Sequence, residues 1–447
     1  MRIELKAADR YNELTAQQST SPQQMIDRLY QDQAARLVKY AGKDIPTFLR
    51  PQFISGTQEQ LIRHTVEVLS GCIEKIVDSY KDSKTMRRWI PFSPEEAAWF
   101  LRPDICPEHV TISRLDAFLD GDKLHYLEFN TDSPASVAWT LEHQQVFRTL
   151  PMMQQLEREF AVSEINPTHL LFESMMSAFK RSGLAGPPRV IIADWTDVAT
   201  YPEFEIVRAY FERQGVPTVI ADPRELEFSN GAIVAGDFRA NLLYRRVIWR
   251  ELFAKRDECK ALFGARESGE VLILNPFRAK IPGNKACLAV MYHEEFTHLF
   301  TREEQQVITN HVPWTTVLEP GPVSFHGEQA DVFDVATKYK DKLVLKPLGG
   351  YGGKGVHIGP ETSQSDWEAV LKQAADGGWC IQELVAIPEE PFPIVEDGKL
   401  SFAPRKLNLN PFSFGGKYAG CFARVSESSI INVSAGGGMI PTFVVGE

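Results

Sequence analysis

Two stretches of this chain hold residue types whose spacing suits chemistry. The first is TISRLDAFLDGDKLHYLEFNTDSPAS, Thr111 to Ser136. Side chains alternate across a strand, so Ile112, Arg114, Asp116 and Phe118 share one face of a first strand. On the second strand Tyr126, Glu128 and Asn130 share one face, and His125, Leu127 and Phe129 share the other. Register decides whether the polar groups meet. A three-residue loop, Gly121-Asp122-Lys123, sets Asp116 opposite Glu128 and Arg114 opposite Asn130. A two-residue loop puts the two carboxylates on opposite faces, because a slip of one residue reverses every side chain. The odd loop is therefore the expectation. Facing carboxylates at Cβ separations of ~5 Å repel unless a cation lies between them. Mg²⁺ takes oxygen ligands, commonly one or two carboxylates plus substrate phosphates, and Asp116, Glu128 and Asn130 suit it. The competing reading is a solvated hairpin face, which the poor strand propensity of Asn and Asp disfavours.

The second stretch is KLVLKPLGGYGGKGVHIG. A strand over 343–346 ends at Lys346, and five glycines fall within the seven residues Gly349 to Gly355. Glycine lets backbone N–H groups approach phosphate oxygens closely. Gly350, Gly352 and Gly355 match GxGxxG, but a second strand follows where the dinucleotide fingerprint needs a helix. A Walker A loop needs a glycine at Leu348 and Ser or Thr at Gly355, and a protein kinase needs HRD and DFG sequences that do not occur. What remains is a hairpin lid, Gly349, Gly350, Tyr351, Gly352 and Gly353, behind a lysine placed to reach a phosphate. The bland alternative is a flexible turn with an exposed lysine. WCIQELV, Trp379 to Val385, reads as a strand whose backbone could border adenine around Gln382, Glu383 and Leu384. Lys285, opening a helix after Asn284, offers a second cation. Each of these last two is more often structural when it occurs alone.

The surrounding chain must position these parts. Its 447 residues suggest about three domains. With 43% hydrophobic and 24% charged residues, the composition is that of an ordinary globular protein. A net charge of -11 argues against nucleic acid as a partner. The six cysteines form no CxxC pair or zinc spacing, and read as buried thiols. The start of the chain lacks the apolar stretch of a signal peptide, and no run approaches ~18 apolar residues. A soluble, cytoplasmic protein with no membrane association is expected; a homodimer is compatible with the sequence. Residues 1–105 read as mainly helical, and RVIIAD, a helix over 202–214 and VPTVIAD form a β-α-β unit implying a parallel, Rossmann-like layer. The expected division is 1–164, helical region plus carboxylate hairpin; 165–275, Rossmann-like substrate domain; and 276–447, the nucleotide half, with a lid at about 311–382 and C-terminal core strands.

In combination these motifs resemble the circularly permuted ATP-grasp enzymes, the glutathionylspermidine synthetase-like carboxylate–amine ligases, over about 50–447. Arg114-x-Asp116, then Glu128-x-Asn130, resembles that family's metal hairpin. Lys285, Lys346, the glycine loop and Gln382-Glu383-Leu384 resemble its nucleotide site, and FARVSESSIINVSAGGGMIPTFVV resembles its C-terminal end. The resemblance implies a permuted ATP-grasp fold of α+β or α/β class, with a pre-ATP-grasp domain and a lid. It implies ATP and two Mg²⁺ ions held by Asp116, Glu128 and Asn130. Arg114 is implied to stabilise the transferring phosphoryl group, Lys285 and Lys346 to contact phosphates, and Arg424 to bind the substrate carboxylate or its acyl phosphate. Arg245 and Arg246 are weaker candidates for anchoring substrate. The implied activity is ADP-forming ligation of a small carboxylate, an amino acid or short peptide, to an amine. TDSPAS after Asn130 departs from the glutathionylspermidine enzymes, so their substrates are not carried over. A small-molecule phosphotransferase and a non-catalytic nucleotide-binding protein are the rivals.

Overall fold

The computed structural model describes residues 2–350, 352–433 and 436–447. The N-terminal helices α1 (Ile3–Ala16) and α2 (Pro22–Ala35) lead through strand β1 (Gln52–Ser55) into the long helix α3 (Gly56–Asp82). Helix α3 starts where Ser55 and Gln58 form a reciprocal capping box. Its buried positions Ile62, Val66, Leu69, Ile73, Ile76, Val77 and Tyr80 recur at helical spacing and give it one apolar face.

The carboxylate hairpin follows as β2 (Ile112–Asp120) and β3 (Lys123–Asn130). Helix α4 (Val137–Arg148), strand β4 (Ala161–Ser163) and helix α5 (Pro167–Ser182) lead to a parallel layer. That layer holds β5 (Val190–Ala193), helix α6 (Tyr201–Arg213), β6 (Thr218–Ala221), β7 (Leu242–Arg245) and β8 (Leu272–Leu274). Its strand order is β8-β7-β5-β6, every neighbouring pair parallel, as the β-α-β pattern requires.

Helices α7 (Ala286–Tyr292) and α8 (Arg302–His311) precede a small antiparallel sheet of β9 (Thr315–Val317), β10 (Leu343–Pro347), β11 (His357–Ile358) and β12 (Trp379–Glu383). Its order is β9-β12-β10-β11, and helix α9 (Gln364–Ala374) packs on it through Trp367, Val370 and Leu371. The chain closes with β13 (Glu389–Glu396), β14 (Lys399–Phe414), β15 (Lys417–Ser426) and β16 (Gly438–Gly446).

These last strands join the carboxylate hairpin. The eight-stranded sheet runs β1-β16-β15-β14-β2-β3, with β13 on β14 and β4 on β16. Strand β2 therefore lies between its hairpin partner and a strand almost 300 residues downstream, and β14 in turn carries β15. One face of β2 and β3 packs Leu115, Ala117, Tyr126 and Phe129 into the core that contains α3, where Tyr126 and Thr65 share a hydrogen bond of 2.8 Å. The opposite face is left for the polar residues. The fold is α+β.

Candidate active site

The hairpin pairs Asp116 with Glu128 and Arg114 with Asn130. It does so by a different route from the three-residue loop expected above. The loop has two residues, Gly121 and Asp122, closed by the pair Asp120–Lys123. Gly121 has φ +61° and Asp122 does not take positive φ, which suits a turn with glycine first. An irregularity between Asp116 and Ala117 then restores the polar pairing: Ala117 faces Tyr126 while Asp116 faces Glu128, leaving Leu127 as the extra residue of a β-bulge. The bulge also corrects the face assignments. Tyr126 lies on the core side, and His125, opposite Phe118, joins the polar side.

Asp116 is 4% exposed and is gripped by two arginines. Arg114 donates from Nε and Nη2 to its two oxygens at 2.7 and 3.2 Å, and Arg424 Nη1 donates to Oδ2 at 3.1 Å. Arg424 reaches it because β15 pairs with β14, which pairs with β2. Glu128 is held by Lys285, whose Nζ lies 3.1 Å from Oε2 and donates to the carbonyl of Gly350 at 2.8 Å. The Lys285 amide also donates to Leu348 O at 3.0 Å. One lysine thus ties the carboxylate hairpin to the glycine loop. Lys346 Nζ donates to Gln382 Oε1 at 2.6 Å, and Gln382 Nε2 is fixed on Thr315 Oγ1 at 3.0 Å. The Gln382 side chain, 2% exposed, therefore positions the lysine.

Four cations, Arg114, Arg424, Lys285 and Lys346, surround two carboxylates in a protein of net charge -11. Burial alone would push the Glu128 carboxyl up; Lys285, then Lys346 and Arg114, outweigh it and hold it at about 2. Burial pushes Lys346 down to about 8, against the pull of Glu128 and with repulsion from Lys285. Burial and then the Arg114 guanidinium bring Arg424 down to about 10. Cations crowded this way favour an anionic ligand, which relieves their repulsion.

The glycine loop is compact at both ends. Gly353 has φ +74°, and a Cβ there would fall 2.4 Å from the Ile430 side chain; a Cβ on Gly350 would fall 2.8 Å from Pro347. Gly352 also takes positive φ, and Gly349 has open space at its Cβ position. Tyr351 lies outside the described residues.

Beside this cluster opens a cavity of about 320 Å³ lined by Phe118, His125, Tyr292, Trp314, Glu383 and Leu384. Glu383 pairs with His326 at 3.1 Å. Phe118 and His125 lie on the polar side of the hairpin, so one strand face runs from the charged cluster into the cavity. From Asp116 to Asp120 that face covers ~13 Å at ~3.3 Å per residue.

Among the described residues no three His, Cys, Asp or Glu side chains converge as a metal cluster. The oxygens of Asp116, Glu128 and Asn130 nevertheless suit a hard divalent cation. The Asn130 amide nitrogen is buried without a partner, and Glu128 keeps its side chain 30% exposed. Two asparagines missed in the sequence, Asn408 and Asn410 on β14, are buried, each with an unpartnered carbonyl oxygen. Alternating asparagines in KLNLNPF, unfavourable in a strand, were their signal.

Arg245 is committed to contacts inside the protein. It is fully buried, with Nη1 2.8 Å from Asp132 and bonded to Val247 O, and Nε bonded to Asn275 O. Arg246 donates to Pro134 O at 2.5 Å. Both arginines hold the segment that follows the hairpin.

No family model matches the chain. A glutathione synthetase-like effector of Globodera pallida, solved in apo form, superposes with a TM-score of 0.65 over 95% of this chain and 98% of that one, at 11% identity. The chain is 25% identical over 354 residues to a Frankia alni protein named "Putative glutamate--cysteine ligase 2-3", covering 75% of this chain and 38% of that protein. An uncharacterized protein of Mycobacterium tuberculosis is 25% identical over 361 residues, 75% of this chain and 60% of that protein. The chain thus spans less than two thirds of these curated relatives. The likeness shows that the chain shares the overall fold of the glutathione synthetase-like effector, and it does not single out the glutathionylspermidine synthetases. Among the described residues no helix is long and apolar enough to cross a membrane.

Proposed function

We propose that this chain is an ATP-dependent, ADP-forming carboxylate–amine ligase built on a circularly permuted ATP-grasp core. The observation that carries the reading is the Lys285 bridge, because it puts the carboxylate hairpin and the glycine loop around one space. Sequence order supports the permutation: the hairpin precedes the loop, and the two are joined in one site through strands at the C-terminal end.

In this reading the base and ribose occupy the 320 Å³ cavity beside Glu383 and Leu384, and the triphosphate runs along β2 toward Arg114. Lys285 and Lys346 neutralise the phosphates, and the backbones of Gly349, Gly350, Gly352 and Gly353 cover them. Asp116, Glu128 and Asn130 would hold Mg²⁺, which supplies charge neutralisation at the phosphoryl oxygens. Arg424 orients the attacking carboxylate of a small acid, and Arg114 stabilises charge on the phosphoryl group in flight. Phosphoryl transfer needs mainly such positioning. The products are ADP and an acyl phosphate. An amine then attacks the activated carbonyl, forming an amide and releasing phosphate. Excluding water protects the acyl phosphate from hydrolysis. Glutamate–cysteine ligase, the activity in the Frankia protein's name, belongs to the same reaction class.

The test is ADP release from Mg·ATP across acids and amines, with mass spectrometry of the product. An amide formed with one ADP supports the reading; a phosphorylated acid that accumulates despite amine indicates a phosphotransferase.

A further inference from the structure

The parallel layer holds a buried carboxylate that the proposed reaction does not use. In the order β8-β7-β5-β6, the chain leaves β5 toward β6 on one side while β7 lies on the other. The crevice at the carboxyl ends of β5 and β7 is therefore a topological switch point, where open α/β sheets bind ligands. Asp194 directly follows β5, and Arg246 directly follows β7.

Asp194 is 6% exposed. Its Oδ1 accepts the Trp195 amide at 2.8 Å. Its Oδ2 has no hydrogen-bond partner among the described residues and keeps some solvent access. Arg246 is committed elsewhere, to Pro134 O and to Glu203 at 3.8 Å. A buried carboxylate without a cation is costly. Burial pushes its pKa up to about 7, with Arg246 opposing.

The crevice adjoins the reaction site. The segment 131–136 touches both: Arg114 Nη1 donates to Ala135 O at 3.3 Å, and Ser133 Oγ donates to Arg246 O at 2.6 Å. The contacts from Arg114 through segment 131–136 to Arg246 thus link the two places directly.

Resting on the ligase reading, we infer that Asp194 receives an ammonium group of the carboxylate substrate, which is therefore an amino acid or peptide and not a plain carboxylic acid. The ammonium supplies the cation that Asp194 lacks and donates to Oδ2.

The test is the thermal shift of the protein loaded with Mg²⁺ and AMP-PNP, on adding matched pairs: L-glutamate and glutarate, L-alanine and propionate, and dipeptides with their N-acetyl forms. The expected result is at least one amino compound binding ten-fold or more tightly than its partner. Asp194→Asn should erase that preference while keeping the AMP-PNP shift. No amino preference with the AMP-PNP shift intact overturns this inference alone, and so does an Asp194→Asn protein that keeps the preference. Loss of the AMP-PNP shift in the wild type removes the ligase reading and this inference with it. The wild-type pairs decide the matter even if the variant does not fold.

Discussion

Lys285 Nζ lies 3.1 Å from Glu128 Oε2 while bonding the carbonyl of Gly350, so two motifs more than 200 residues apart share one ammonium group. Separately, each motif has an ordinary structural explanation. Together they leave four cations around two carboxylates, a charge balance suited to a polyphosphate.

The pairing of Asp116 with Glu128 should survive loss of the bulge but not a further shift of register. Deleting Leu127 leaves a regular hairpin on the same Gly121-Asp122 turn, with Glu128 still opposite Asp116 and Asn130 still opposite Arg114, so ADP release should be retained. Deleting Tyr126 and Leu127 together sets Glu128 opposite Ala117 on the core side. In that variant ADP release should be lost and the melting temperature should fall.

Asp116→Asn and Glu128→Gln should each lower ADP release on the order of 10²-fold or more, the usual scale for removing a transition-state charge contact. They should differ in stability. Asp116→Asn takes from buried Arg114 and Arg424 the carboxylate they hydrogen-bond, leaving only Glu128 nearby, a change that can cost about 3–5 kcal/mol. Thermal melting with and without Mg·ATP separates the two effects.

Nucleotide affinity should fall as pH rises through about 8, where Lys346 loses its proton in the free protein. Phosphate favours the charged form, so binding takes up a proton above this pH, with a limiting slope of about tenfold per pH unit. Lys346→Met should bind more weakly and lose this dependence. Calorimetric titration with Mg·ATP between pH 7 and 9.5 measures both.

Asp194 should make the wild type less stable as pH rises. Its folded pKa, about 7, exceeds its ordinary value of 3.8, so the unfolded chain releases that proton first and folding is penalised progressively between those values. Asp194→Asn should melt close to wild type near pH 4. By pH 8 its advantage should reach on the order of 2–4 kcal/mol, at about 1.4 kcal/mol per pKa unit. Denaturant titrations at the two pH values check it.

The sequence was most informative where chemistry and periodicity coincided. Arg114, Asp116, Glu128 and Asn130 stand out because polar residues recur every second position in strands that otherwise need apolar faces. The parallel layer was legible from RVIIAD and VPTVIAD. The two-residue turn and the bulge were not: each shifts the register by one, and their effects cancel at Asp116 and Glu128 but not at Tyr126 and His125. The bond from Lys346 to the Gln382 side chain was not legible, because it depends on β10 pairing with β12. The pairing of Arg245 with Asp132 was not legible because the two lie more than a hundred residues apart.

The most direct measurement is ADP release by the purified protein with Mg·ATP, acid and amine together, wild type against Glu128→Gln. The account expects wild-type release that requires the acid, an amide product in one-to-one ratio with ADP, and near-complete loss in the variant. Full release by Glu128→Gln, or no release by the wild type with any acid and amine in the screen, would contradict it.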